Sequence, residues 1–482
     1  MSTSLRGLAL RTLLAAFPGP TAPPWTLRLV EEGLGGVALF SYNIVDLEQV
    51  GRLTATLRRA RPDVIVATDE EGGDVTRLCY STGSPYPGNA ALGIVDDLDL
   101  TSRIYRSIGF ELAAVGITLD MAPVVDVNSA DDNPAIGTRS FGNDAAKVAA
   151  HAAAAVTGLQ SAGVSACAKH FPGHGATEAD SHLGLPVVDA PLEQLWQREL
   201  PPFEAAIKAG VRSVMTAHIR VPALSGRLPA TFSPDVLTGL LRTELGFTGA
   251  VVSDALEMQG ASGAIGVPEA AVRALVAGND LLCIGGEFAK SPDAEALIEA
   301  TVAAIEAAVH SGRLTLEVLE VAAARTVLLG RTPPVGRPED VYDDGVAAAR
   351  RAIRVEGALP AGLADALLVQ LEPEATVAVG QVPWGLALHR NVVKLAEPSS
   401  VDSVDEAAVE LTRRANGRPI VVVSRDTHRH AWARALVERL PDVVLVEMGW
   451  PASWRPSHAR AYVASYGASR ANAAAVAELL SS

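Results

Sequence analysis

Cysteine is scarce: Cys79, Cys167 and Cys283 are the only three in 482 residues. Odd in number and far apart, they exclude a disulfide framework, and a reducing, cytoplasmic setting is the expectation. Long apolar runs are missing too. No stretch approaches the ~18–20 uninterrupted apolar residues that a membrane-crossing helix requires. Positive charge is short, with 40 Lys and Arg against 55 Asp and Glu and a net charge of −15. With no Lys/Arg block to offset that balance, neither nucleic acid nor an anionic membrane is expected as a partner. The opening segment, MSTSLRGLALRTLLAAFPGP, lacks a clean small-residue cleavage site and is broken by Arg11. It reads as an amphipathic first helix over 5–17, closed by Pro18-Gly19-Pro20, and not as a secretory signal.

What is present is the composition of a folded protein, 49% hydrophobic and 20% charged, in a chain long enough for two domains. Residues 331–340, RTPPVGRPED, carry three prolines and no apolar period, as a linker does. Before it, over 1–330, short apolar runs alternate with Ala- and Leu-rich helical stretches. The runs cover 37–40, 64–68, 117–125, 165–168, 211–217, 250–253 and 280–284. Continuous apolar runs between helices predict buried parallel strands in βα units, and seven or eight units in that length predict a (β/α)8 TIM-like barrel. After the linker, over 341–482, runs at 366–371, 377–379, 419–424, 443–447 and 461–465 predict a smaller three-layer α/β domain with a five-stranded, mostly parallel sheet. It holds no GxGxxG or Walker motif, so nothing supports nucleotide binding there.

Asp69, Asp126, Lys169, His170, His218 and Asp254 all fall at or just past the C-terminal ends of the first set of runs. In a parallel barrel that edge carries the chemistry. A carboxylate so placed, as Asp254 is in AVVSDALEM, suits a nucleophile on a sugar's anomeric carbon, although Asp before Ala-Leu-Glu also fits a helix N-cap. The segment AKHFPGHGATEADSHLGLP, residues 168–186, is the richest in functional groups. His170 and His174 have the spacing of a helical metal site, but Phe171-Pro172-Gly173 between them prevents a helix, and no metal or other cofactor is implied. Asp180 and His182, two apart, share a side in an extended segment. There the carboxylate would fix the imidazole's tautomer for general acid/base work. In ATDEEGGDVTR, Gly72-Gly73 permits a sharp turn between Asp69, an acceptor for sugar hydroxyls, and Arg77, a forked donor. NPAIGTRSFG adds Arg139 in a later loop.

The ordered set GLGGVALFSYNI, DEEGGDVTR, APVVDVN, RSFG, KHFPGHG, DSHLGLP, VMTAHI, PATFS and SDALEM, from about Leu27 to about Leu329, resembles glycoside hydrolase family 3. KHFPGHG followed by DSH resembles its β-N-acetylhexosaminidase branch, since the family's glucosidases take their acid, a carboxylate, from elsewhere. The resemblance implies Asp254 as nucleophile and His182, partnered by Asp180, as acid/base. It implies Asp69, Arg77, Arg139, Lys169 and His170 as the sugar-binding set. The implied activity is a retaining exo-β-N-acetylglucosaminidase acting on cell-wall fragments, as in peptidoglycan recycling, or on short chitin oligomers. Phosphorolysis on the same scaffold is the alternative, and a catalytically silent sugar-binding protein the remoter one. Ala176 stands where many relatives carry Asp, which implies altered loop hydrogen bonding. The C-terminal part, down to YGASRANAAAVAELL, is similar to that of two-domain members, with a packing or substrate-shaping role.

Overall fold

A computed structural model describes residues 4–177, 184–286, 293–327, 329–330, 342–397 and 401–481. The chain forms two compact units, one of Met1–Glu70, Thr101–Val127 and Asn143–Glu339, the other of Glu71–Leu100, Asn128–Gly142 and Asp340–Ser482.

In the first unit eight strands run in chain order: β1 Leu13–Ala15, β2 Gly36–Leu39, β3 Ile65–Thr68, β4 Leu119–Asp120, β5 Ser165–Phe171, β6 Ser213–Thr216, β7 Ala250–Ser253 and β8 Leu282–Ile284. Their order in the sheet is β7-β6-β5-β4-β3-β2-β1-β8, all parallel. A parallel bridge between Val252 and Leu281 joins the two ends, making a nearly closed (β/α)8 barrel. Helices between the strands start where the sequence supplies acceptors for their first amides. Asp46 receives the Gln49 N–H at 2.7 Å and Asp144 the Lys147 N–H at 2.8 Å. Buried side chains such as Leu14, Ile65, Leu119, Met215 and Val252 pack together among these strands, and in such a barrel the chemistry sits at the strand ends.

One expectation about this unit fails. The helix expected over 5–17 stops at Arg11, and Leu13–Ala15 is a strand paired with both β2 and β8. Apolar residues follow one another without a polar break from Leu13 to Phe17, all buried. Only a strand covered on both faces and both edges uses such a run fully.

The second unit contains a six-stranded sheet, not a five-stranded one. To β10 Leu367–Glu372, β12 Ile420–Ser424, β13 Val444–Glu447 and β14 Ala461–Ala464 are added β9 Arg354–Gly357 and β11 Val393–Ala396. The order is β11-β10-β12-β13-β14-β9, with only β9 antiparallel. Residues 377–379, read as a strand, form a turn. Their neighbourhood serves other segments of the same unit: Ala378 O accepts from Arg77 Nη2 at 2.9 Å, and Gln381 N donates to Tyr80 Oη at 2.8 Å. The linker, 331–340, lies outside the described residues.

Candidate active site

Lys169 and His170 stand near the C-terminal end of β5. Neighbours on a regular strand point to opposite faces, yet the pairing of β5 with β6 shifts register between Ala168 and Phe171, so both fall at an irregularity. Lys169, only 2% exposed, places Nζ 2.7 Å from Asp69 Oδ1 at the end of β3. A buried ammonium is tolerable only when so paired, and each partner fixes the other. Asp120, closing β4, accepts the Glu70 N–H at 2.9 Å and is fully buried. Burial pushes its carboxyl well above the usual range.

Asp126 organises the segment beyond β5. Its carboxylate accepts from His170 Nδ1 at 2.7 Å, from the His170 amide at 3.2 Å and from the His174 amide at 2.7 Å. Burial works to raise this carboxyl, but the His170 and His174 rings and the donated amide hold it below the usual range. Because a carboxylate can only accept, Nδ1 of His170 bears a hydrogen, and Nε2 remains for a ligand. His174 is a different histidine. Its Nδ1 lies 2.7 Å from Thr177 Oγ1, and burial, aided by the nearby His170, lowers it to about 4, so it is neutral through the physiological range.

Asp254 follows β7. Its backbone N–H bonds Thr216 O at the end of β6 (3.1 Å), and its own Oδ1 accepts from the Ala255 amide at 2.8 Å. The turn is held from both sides. His218 Nε2 donates to Ala255 O at 3.0 Å, and Glu257 Oε2 accepts from Gly285 N, just past β8, at 3.1 Å. The N-cap reading of Asp254 fails, since the next helix begins only at Gln259 and has Met258 as its N-cap. The carboxylate is thus positioned by a turn that spans three strand ends.

Arg77 and Arg139 belong to the second unit. Gly72 and Gly73 both have positive φ, 72° and 66°, giving the tight turn between Glu71 and Val75 that the sequence predicts. Arg139 makes a two-pronged ion pair with Glu71, Nε to Oε2 at 2.8 Å and Nη2 to Oε1 at 2.7 Å, and gives Nη1 to Ala135 O. The sequence does not single out Glu71: within DEEGGD it looks like one of a run of solvated acids, and only its burial reveals the pairing. Asp180 and His182 lie outside the described residues.

Glu199 is a further buried carboxyl that sequence reading passes over. It closes the π-turn Leu195–Glu199, and a Cβ added to Gly173 would lie 2.8 Å from its Oε2. Gly173 begins the segment that leads toward Asp180 and His182. Oε1 accepts from Arg198 Nε at 2.6 Å, while burial raises the carboxyl to about 7. A carboxyl raised in the folded state gives stability that is present below its unfolded value and lost as pH rises through about 7. Glu199→Gln is therefore expected to be more stable than the parent at pH 8 by about 2–3 kcal/mol and nearly equal to it at pH 5. Urea unfolding at the two pH values reads this directly; equal differences at both would refute it.

The model of the glycosyl hydrolase family 3 N-terminal domain matches residues 26–329. Beta-hexosaminidase A of Pseudoalteromonas piscicida is 35% identical over 332 residues, covering 64% of this chain and 55% of that protein. The beta-hexosaminidase of Neisseria meningitidis serogroup C is 38% identical over 265 residues, covering 53% of this chain and 73% of its own. Among solved structures, the family 3 beta-N-acetylglucosaminidase of Paenibacillus sp. str. FPU-7 superposes with a TM-score of 0.87 at 31% identity, covering 100% of this chain and 97% of that one.

Proposed function

This chain belongs to glycosyl hydrolase family 3, and from that premise we propose that it is a retaining exo-β-N-acetylglucosaminidase that forms a covalent glycosyl-enzyme on Asp254. The observation that carries the reading is the placement of Asp254, a carboxylate in a turn pinned to three strand ends on the barrel's C-terminal edge. The names of the relatives support an N-acetylhexosamine as the sugar.

In the first step an Asp254 oxygen attacks the anomeric carbon as the bond to the leaving oxygen breaks, and protonated His182 gives that oxygen its proton. In the second, neutral His182 takes a proton from water, whose oxygen displaces Asp254 and restores the starting configuration. Asp180 holds the imidazole in the tautomer that can shuttle. Asp69, Lys169 and His170 bind sugar hydroxyls, with Arg77 and Arg139 completing the sugar-binding set. A buried Lys169–Asp69 pair suits hydroxyl recognition, because a sugar hydroxyl both donates and accepts. The substrates proposed are cell-wall fragments and short chitin oligomers. Three free thiols, two of them buried, suit a reducing cytoplasmic setting.

The deciding experiment follows an aryl N-acetyl-β-glucosaminide by proton NMR, with and without inorganic phosphate. The β-anomer of N-acetylglucosamine is expected as the first product in both. Initial release of the α-anomer would exclude double displacement. Formation of the sugar 1-phosphate would make the protein a phosphorylase, since a neutral histidine repels phosphate less than a carboxylate does.

A further inference from the structure

The loops that leave β3 and β4 belong, by their contacts, with the C-terminal segment. Those two loops carry Arg77 and Arg139, and one side chain joins both to the C-terminal residues. Asp74 Oδ2 accepts from Thr138 Oγ1 at 2.7 Å, directly beside Arg139. Its other oxygen, Oδ1, accepts from the Ala468 amide at 2.8 Å. A single carboxylate therefore ties three segments that are distant in sequence. Arg425, whose guanidinium stacks 4.2 Å from the centre of the Trp384 ring, adds the opposing charge.

The far end of this tie is built at a cost. Tyr466 has a φ of 56°, which a bulky side chain rarely adopts, and Gly467 follows at 153°. Conformations of that kind cost roughly 1–3 kcal/mol and persist where the surroundings impose them. Here the turn ends with the Ala468 amide on Asp74, and Ser469 then caps the helix Arg470–Leu479 through the Asn472 amide at 3.2 Å. Nothing about a plain surface connection calls for a left-handed tyrosine.

We propose that Asp74 is a positioning residue of the sugar site: bonded to Thr138 and to the Ala468 amide, it sets the loops bearing Arg77 and Arg139 from the C-terminal sheet. The proposal rests on the reading of both arginines as sugar-binding residues. It assigns the C-terminal unit a part in substrate affinity without giving it a reacting group. Loss of the tie moves two ligand-binding side chains, and displacement by about 1 Å can cost about 100-fold where orientation matters. An interaction made equally in ground and transition states shows itself in KM and leaves kcat in place.

The test is steady-state kinetics of the full chain on an aryl N-acetyl-β-glucosaminide, with thermal unfolding of each variant. Asp74→Ala is expected to raise KM about 10–100-fold while kcat stays within about 3-fold. Thr138→Val, which removes only the hydroxyl, is expected to raise KM in the same direction, and Thr138→Ser to restore it. A KM within 2-fold of the parent in a folded Asp74→Ala or Thr138→Val protein overturns the proposal, as does a kcat that falls as far as KM rises. A parent protein that releases no aryl group at all refutes instead the glycosidase reading beneath it.

Discussion

Asp254→Asn is expected to abolish turnover of every glycoside tested, with kcat falling about 10^4-fold or more, as loss of a nucleophile does elsewhere. The substitution is nearly isosteric. Its remaining carbonyl oxygen can still accept the Ala255 amide, which Asp254 Oδ1 now receives at 2.8 Å, and the backbone bond to Thr216 O is untouched. The fold should therefore survive with an unchanged unfolding midpoint, and the loss should fall on chemistry alone. An amide oxygen is a far weaker nucleophile than a carboxylate and offers the cationic transition state no full negative charge. Activity within 10-fold of the parent, in protein shown to be folded, would remove Asp254 from the mechanism.

His182→Ala is expected to separate the two steps. An aryl leaving group with a low pKa departs with little help, so the first step continues while the second, which needs a base for water, slows by about 100- to 1,000-fold. Rapid mixing should then give a burst of aryl alcohol equal to the enzyme concentration, followed by slow turnover, and mass spectrometry should detect the glycosyl-enzyme on Asp254. A linear time course at the parent's rate would place the acid/base elsewhere. His174 is the obvious competitor by sequence position, but burial holds it at about 4, so it carries no proton to give at neutral pH. The contrast makes the experiment decisive: an acid/base must change charge near the working pH, and this buried imidazole does not.

The barrel was legible because its strands are continuous apolar runs, and the candidate site residues were legible because they interrupt those runs at one end. Asp254, Lys169 and His170 stand out for that reason alone. The first strand was hidden because three residues, Leu13–Ala15, are too few to carry a period of their own beside a helix. Asp126 is visible as a strand-end carboxylate, but its three donors come from a segment 44 to 48 residues onward. Such pairings leave no local trace. Glu71 and Glu199 were illegible for a related reason. A glutamate is ordinarily solvated, and only the fold reveals that each is buried, one on an arginine and one against a glycine backbone.

The pairing of β1 with β8 also bears on how the protein is made. Leu13–Ala15 leaves the ribosome well before one of its two partners, Leu282–Ile284, which is about 270 residues further on. At 5–20 residues per second the first strand waits roughly 15–50 s for that edge to be synthesised. The loops after β3 and β4 wait longer still, since their unit is completed only by Asp340–Ser482. Until then β1 offers an apolar strand with one open edge, the kind of segment that recruits chaperones or pairs with a neighbouring nascent chain. Synthesis order thus bears on folding alongside final stability.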